Sequence, residues 1–177
     1  MLNIVLFGAP GAGKGTQAQK LVEKYGLNHI STGEVIRDEI ARRTPLGIGM
    51  EEYIGRGELA PDDLVINMVA NHVAKHRDGA GNIFDGFPRT LVQAEHFDDI
   101  MREHDTPVDM MISLEVPDDI LEERLLLRGK ESGRADDGDQ SVIRNRLKIY
   151  NDVTAVVSKY YADQNKHVPV DGTGTVD

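Results

Sequence analysis

The sequence predicts an α/β fold: a central five-stranded parallel sheet between two layers of helices, a three-layer α/β/α arrangement in one domain. Three observations carry this reading. Short apolar runs alternate with stretches of helical periodicity, the pattern of parallel strands joined by crossover helices. The first run, LNIVLF at residues 2–7, ends in a glycine-rich turn that opens straight into a helical stretch. The 177 residues suffice for one substantial core and contain no repeat, low-complexity tract or linker that would divide it.

The elements follow in order. After the strand at 2–7, the helical pattern from Thr16 to Tyr25 stops at Gly26. Residues 28–31 form a second strand. Ser31 and Glu34 have capping-box spacing, so a helix starts there and runs to about Arg43, ended by Pro45. A further helix covers about 46–56. Pro61 suits the first turn of the next, in which Leu64, Val65, Met68, Val69, His72 and Val73 recur at helical spacing. A turn at 79–82 leads to a strand at 82–85 and the compact segment DGFPRT, where Pro88 suits a cis peptide bond. A helix at 90–104, a strand at 110–116, a helix at 118–128, a Gly/Asp-rich loop at 129–140, a long helix at 141–163 and a strand at 167–170 complete the chain.

Composition narrows the function. The formal net charge of −10 disfavours a nucleic-acid partner, since polyanion binders are basic, yet leaves room for a small anionic ligand in a locally positive cleft. Twelve of the twenty basic residues are arginine, the side chain suited to bidentate phosphate contact. There is no cysteine, hence no disulfide and no thiolate metal site, which fits a reducing compartment. No apolar run approaches the ~20 residues that span a bilayer. The start, MLNIVLFGAP, lacks the basic flank of a signal peptide and reads as structure.

The chemistry begins at GAPGAGKGT, Gly8 to Thr16. Glycines let the backbone approach an anion closely, so that several N–H groups converge on phosphate oxygens at a helix N-terminus. Lys14 would reach the β- and γ-phosphates of a nucleotide. In the usual phosphate loop a Ser or Thr directly after the lysine ligates Mg²⁺. Here Gly15 stands there and the hydroxyl comes one residue later, at Thr16.

GAPGAGKGTQ resembles the phosphate loop of nucleoside monophosphate kinases, adenylate kinases in particular. The resemblance implies the P-loop kinase fold and the reaction MgATP + AMP ⇌ 2 ADP. It also implies that Mg²⁺ is held by substrate phosphates and water, with an acidic residue behind the water. Asp85, at the end of the strand in NIFDGFPR, is the candidate; as a residue alone it reads equally as a turn former or helix cap. Residues Gly11, Ala12, Gly13, Lys14, Gly15 and Thr16 would hold the ATP phosphates.

Three further segments carry the resemblance across nearly the whole chain. In STGEVIR, the family places Thr32 near the acceptor base and Arg37 on the acceptor phosphate; read alone, Thr32 caps a helix and Arg37 pairs with Glu34 or Glu39. GELAPDDLV, with Glu58, Leu59 and Ala60, resembles the family segment lining the adenine pocket. In GFPRT, Arg89 would bind the AMP phosphate beside Gly86, and Gln93 would read the adenine edge, unless it is an ordinary solvated helix residue. The ordered pattern RxxxR…SGRxDD…RL supplies Arg124, Arg128, Arg134 and Arg146 as phosphate clamps, Arg124 and Arg128 with ATP and Arg134 and Arg146 also with AMP. Isolated on a helix, Arg124 and Arg128 would instead pair at the surface with Glu122, Glu123 or Glu131.

The implied catalytic set is Lys14, Arg89, Arg124, Arg134 and Arg146, acting by position and charge; the six histidines show no metal-ligand spacing. The implied organisation is a core (about 1–30, 61–128 and 141–177), an AMP-binding subdomain (about 31–60) and a short lid (about 129–140), in a monomeric cytoplasmic enzyme that uses ATP, AMP, ADP and Mg²⁺. Without cysteine, the zinc-bearing lid of some relatives is excluded. The family continues past this point into a final helix, whereas this sequence ends at Asp177, so the donor-adenine contacts implied near Gly174 and Thr175 fall in the last stretch. Two other readings stand beside this one: a UMP/CMP kinase of the same fold, against which Thr32 and Thr90 argue, and a non-catalytic nucleotide sensor, which has no need of a second phosphate cage.

Overall fold

The computed structural model describes residues 1–76 and 79–175; residues 77, 78, 176 and 177, which fall in the predicted core stretches, lie outside it. Five strands, β1 (Leu2–Gly8), β2 (Asn28–Ser31), β3 (Gly81–Asp85), β4 (Met110–Glu115) and β5 (His167–Asp171), form one parallel sheet in the order β2-β3-β1-β4-β5. Strand β1 is central, and alternate residues serve opposite layers. Val5 and Phe7 join Phe84, Phe87, Phe97 and Met111 in the larger core. Ile4 and Leu6 pack with Ile83 against Ala18 and Leu27 on the other face. Both faces of β1 are buried, as an apolar run without alternation requires.

The helices are α1 (Lys14–Tyr25), α2 (Thr32–Ala41), α3 (Pro45–Gly55), α4 (Asp62–Lys75), α5 (Leu91–Glu103), α6 (Asp118–Ser132), α7 (Gln140–Ile149) and α8 (Val156–Ala162). Ser31 caps α2, its hydroxyl accepting from the Glu34 N–H. Thr44 caps α3 with Pro45 in the first turn. Gly47 allows α3 to cross α2 closely, since a Cβ there would lie 2.1 Å from the Glu39 carbonyl oxygen.

Four expectations change. Helix α1 begins at Lys14, two residues before Thr16, because Gly13 at φ 96 already turns the chain into it. The apolar stripe of α4 is narrower than its spacing suggests: Val65, Met68, Val69 and Val73 are buried, while Leu64 lies at the exposed margin. Helix α6 continues to Ser132 and stops at left-handed Gly133, so the irregular part of the 129–140 loop shrinks to 133–139, including a 3₁₀ turn at Ala135–Asp137. The helix expected over 141–163 is broken by a π-helical turn at Tyr150–Thr154, in which the Ala155 N–H donates to the Tyr150 carbonyl five residues back. The Phe87–Pro88 bond is cis, as the sequence suggests.

Candidate active site

The C-terminal ends of the strands open into a cavity of about 900 Å³. Strand register explains what meets there. Leu6 pairs with Asp85 and Asp85 with Ser31, so the loop after β1, the segment after β3 and the start of α2 emerge side by side. This is the crevice where open α/β sheets bind ligands.

The glycine loop forms its floor. Gly8, at φ 140, passes the β4 end so closely that a Cβ would meet the Leu114 carbonyl oxygen at 2.7 Å. Helix α1 starts with no side-chain cap and no acidic residue in its first turn, leaving its N-terminal N–H groups to an anion. The Lys14 ammonium folds over the loop and donates to the carbonyls of Gly8 (2.8 Å) and Ala9 (2.9 Å). Burial, with help from the neighbouring arginines, lowers its pKa from 10.5 to about 8.

Asp85 faces the same loop: a Cβ on Gly15 would lie 4.0 Å from its Oδ2. Burial opposes its ionisation, but His29 and then Lys14 outweigh this and hold the carboxyl below its ordinary range. His29 Nε2 lies 3.7 Å from Asp85 Oδ2, an ionic contact longer than a hydrogen bond. The Asp85 carboxylate raises the His29 pKa in return. Asp85 is thus an anion at neutral pH beside the loop that would carry the donor phosphates, which suits an outer anchor for hydrated Mg²⁺.

Gly86 organises the opposite wall. Its carbonyl accepts from Arg89 Nε at 2.7 Å and from Thr32 Oγ1 at 2.9 Å. At φ 80, where a Cβ would lie only 3.0 Å from both side chains, this position requires glycine. Gln93 is buried, not solvated: its Oε1 accepts from the Arg89 N–H (2.8 Å) and its Nε2 donates to Asp62 Oδ1 (2.7 Å), which Thr90 Oγ1 also reaches. One N–H of the carboxamide remains for a ligand. Glu58, Leu59 and Ala60 line the cavity, with the Glu58 carboxylate drawn to Arg56 at 3.0 Å.

Among the described residues, seven cations line this one space: Lys14, Arg37, Arg89, Arg124, Arg128, Arg134 and Arg146. The expected surface pairings do not form. Glu39 pairs with Arg42, Glu122 with Arg144, and Arg37 makes no hydrogen bond or ion pair with a described residue. Burial, followed by the like charges of Arg134 at Arg37 and of Arg146 at Arg89, lowers the pKa of both guanidiniums. Arg124 donates to the Gly172 carbonyl at 3.0 Å, which ties α6 to the segment holding Gly174 and Thr175. Arg128 grips Asp137 at two points (2.6 and 3.0 Å), and Arg146 contacts both Asp136 (3.1 Å) and Asp137 (2.5 Å).

Comparison with known proteins agrees with this geometry. A family model described as adenylate kinase matches residues 6–166. The chain belongs to the adenylate kinase family. Curated adenylate kinases similar to it include those of Flavobacterium johnsoniae (50% identical over 177 residues), Bacteroides thetaiotaomicron (49% over 177) and Porphyromonas gingivalis (46% over 177). Each alignment spans 100% of this chain and 93%, 93% and 91% of the respective relative. Sequence reasoning leaves Asp62, Asp137 and His29 without roles in this family site. SGRADD holds a signal for Asp137, because an acid pair amid clamp arginines must be neutralised by them.

Proposed function

We propose that this chain catalyses reversible transfer of the γ-phosphoryl group from MgATP to AMP, giving two ADP. The glycine loop and Lys14 hold the donor β- and γ-phosphates. Arg37 and Arg89 hold the AMP phosphate, whose oxygen attacks as the bond to the ADP leaving group breaks. Arg124, Arg134 and Arg146 neutralise charge on the moving group, and Arg128 adds to the ATP side. Thr32, Gln93 and the 58–60 segment receive the acceptor adenine, and Gly174 lies at the donor adenine.

The observation that carries this reading is one cavity lined both by a phosphate loop and by a second cage, Arg37 and Arg89, on the opposite wall. Two anionic phosphates can be brought together there without a general base, because the acceptor is already ionised. Asp85 would hold Mg²⁺ through water; bound with ATP, the ion supplies neutralisation of the bridging phosphate oxygens. Closure of the acceptor-side helices (31–60) and the 133–139 segment excludes water as a competing acceptor. The protein works as a cytoplasmic monomer on free nucleotides, without nucleic acid, membrane or zinc; among the described residues no helix is long and apolar enough to cross a membrane.

The test is diphosphate formation from MgATP with AMP, UMP, CMP or GMP, with Lys14→Ala as control. Turnover with AMP, absent in the control, is the expected result. Turnover with a pyrimidine monophosphate instead would overturn the acceptor assignment, and binding without turnover would make the chain a sensor.

A further inference from the structure

Helix α3 ends at Arg56, whose backbone carbonyl is among the last of the helix and has no partner within it. The chain then turns through Gly57, at φ 70, into the 58–60 segment that lines the acceptor side of the cavity. This turn is seated on α7. Asn145 Nδ2 donates to the Arg56 carbonyl at 2.8 Å, across 89 positions of sequence. Gly57 fits so closely beside it that a Cβ would meet the Val142 carbonyl oxygen at 2.8 Å and Arg146 Cγ at 2.9 Å. Val142, Asn145 and Arg146 stand at i, i+3 and i+4, one face of α7. That face therefore carries both the clamp arginine and the fastening of the acceptor wall.

We propose that Asn145 is a positioning residue for the reaction. By capping α3 it holds the 57–60 wall at a fixed separation from Arg146, so that the acceptor nucleotide and the clamp on the transferring group are set by one contact. The donor side shares nothing with this fastening, because the glycine loop and Arg124 are anchored on β1, β4 and Gly172. The inference rests on the functional reading given above.

Steady-state kinetics with AMP and ATP varied separately test it, in wild type, Asn145→Ala, Asn145→Asp and Asn145→Gln. Asn145→Asp keeps the shape but cannot donate to a carbonyl, so it should behave like Asn145→Ala. Loss of the bond should raise the KM for AMP roughly 3- to 10-fold, the range of one net hydrogen bond. The KM for ATP should stay within about twofold, as for a neutral surface change. Asn145→Gln, which keeps the donor, should recover part of the AMP affinity. In the unliganded protein, amide hydrogen exchange over 57–60 should quicken in the Ala and Asp variants and not elsewhere in the cavity wall. Equal shifts in both KM values with a lowered Tm would reduce Asn145 to a structural role and overturn the proposal, as would unchanged AMP kinetics in a wild type that is active. A wild type that makes no ADP from MgATP and AMP would instead overturn the functional reading itself.

Discussion

Asp137 holds Arg128 in a two-point ion pair and Arg146 in a third contact, with none of its own side chain exposed. One buried carboxylate thus spaces two cations that would otherwise repel. Burial resists its ionisation, but the hydrogen bond and charge of Arg128, then Arg146, prevail and hold its pKa below the ordinary value. Asp137→Asn should lower stability by roughly 1–3 kcal/mol, the scale of a hydrogen bond to a charged group. The depressed folded pKa sets the sign: this stabilisation is present above the unfolded carboxyl pKa of about 4 and is lost as pH falls below it. Urea unfolding of both proteins from pH 7 to pH 3 should show their difference shrinking only at the acid end.

Lys14 gives a signature in proton uptake. Its folded pKa of about 8 lies below 10.5, so keeping it charged destabilises the free fold fully below about pH 8 and not at all above its ordinary value. Phosphates arriving at the loop favour the charged form. Binding of an ATP analogue near pH 8 should therefore take up roughly half a proton, since a group at its pKa is half protonated. Calorimetry in two buffers of different ionisation enthalpy measures this, and Lys14→Ala should abolish it.

Gln93→Glu would place a carboxylate against Asp62, whose Oδ1 lies 2.7 Å from the present amide nitrogen. The KM for AMP should rise roughly 10- to 100-fold, the cost of breaking a buried hydrogen bond to a charge. The double variant with Asp62→Asn should recover much of the loss. Without that recovery, Asp62 is not the group that orients Gln93.

Far from the cavity, Asp98 collects Tyr160 Oη (2.9 Å), Tyr161 Oη (3.2 Å) and Gln164 Nε2 (3.0 Å), joining α5 to α8. Asp98→Ala leaves the buried Tyr161 hydroxyl unsatisfied and should cost about 1–3 kcal/mol. Adding Tyr161→Phe should return part of that, and kcat should not move in either protein. A loss of kcat would show that α8 communicates with the site.

The parts legible in the sequence are those written in local patterns. Apolar runs locate all five strands, and glycine spacing with Lys14 locates the loop, because both depend on near neighbours. What escapes depends on partners far along the chain. Gln93 reads as solvated on its own helix, and only the fold brings Asp62 and the Arg89 N–H to its two ends. Arg128 has Glu131 within helical reach yet chooses Asp137, because Gly133 turns the chain back over α6. The α6 end itself is hidden because Gly129 suggests a break, whereas it serves close packing: a Cβ there would lie 2.3 Å from the Asp137 carbonyl oxygen.

The π turn at Tyr150–Thr154 has a consequence for how the gene can vary. Each residue advances an α-helix by about 100°, so one residue of excess turn sets the angular phase of all that follows. Here that phase puts Tyr150 and Thr154 on the cavity wall and still points Val157 and Tyr161 into the core. Deleting a single codon between 150 and 155 would restore a regular helix and swing Val157 and Tyr161 toward solvent. Point changes within this turn should thus be tolerated far better than any change of length.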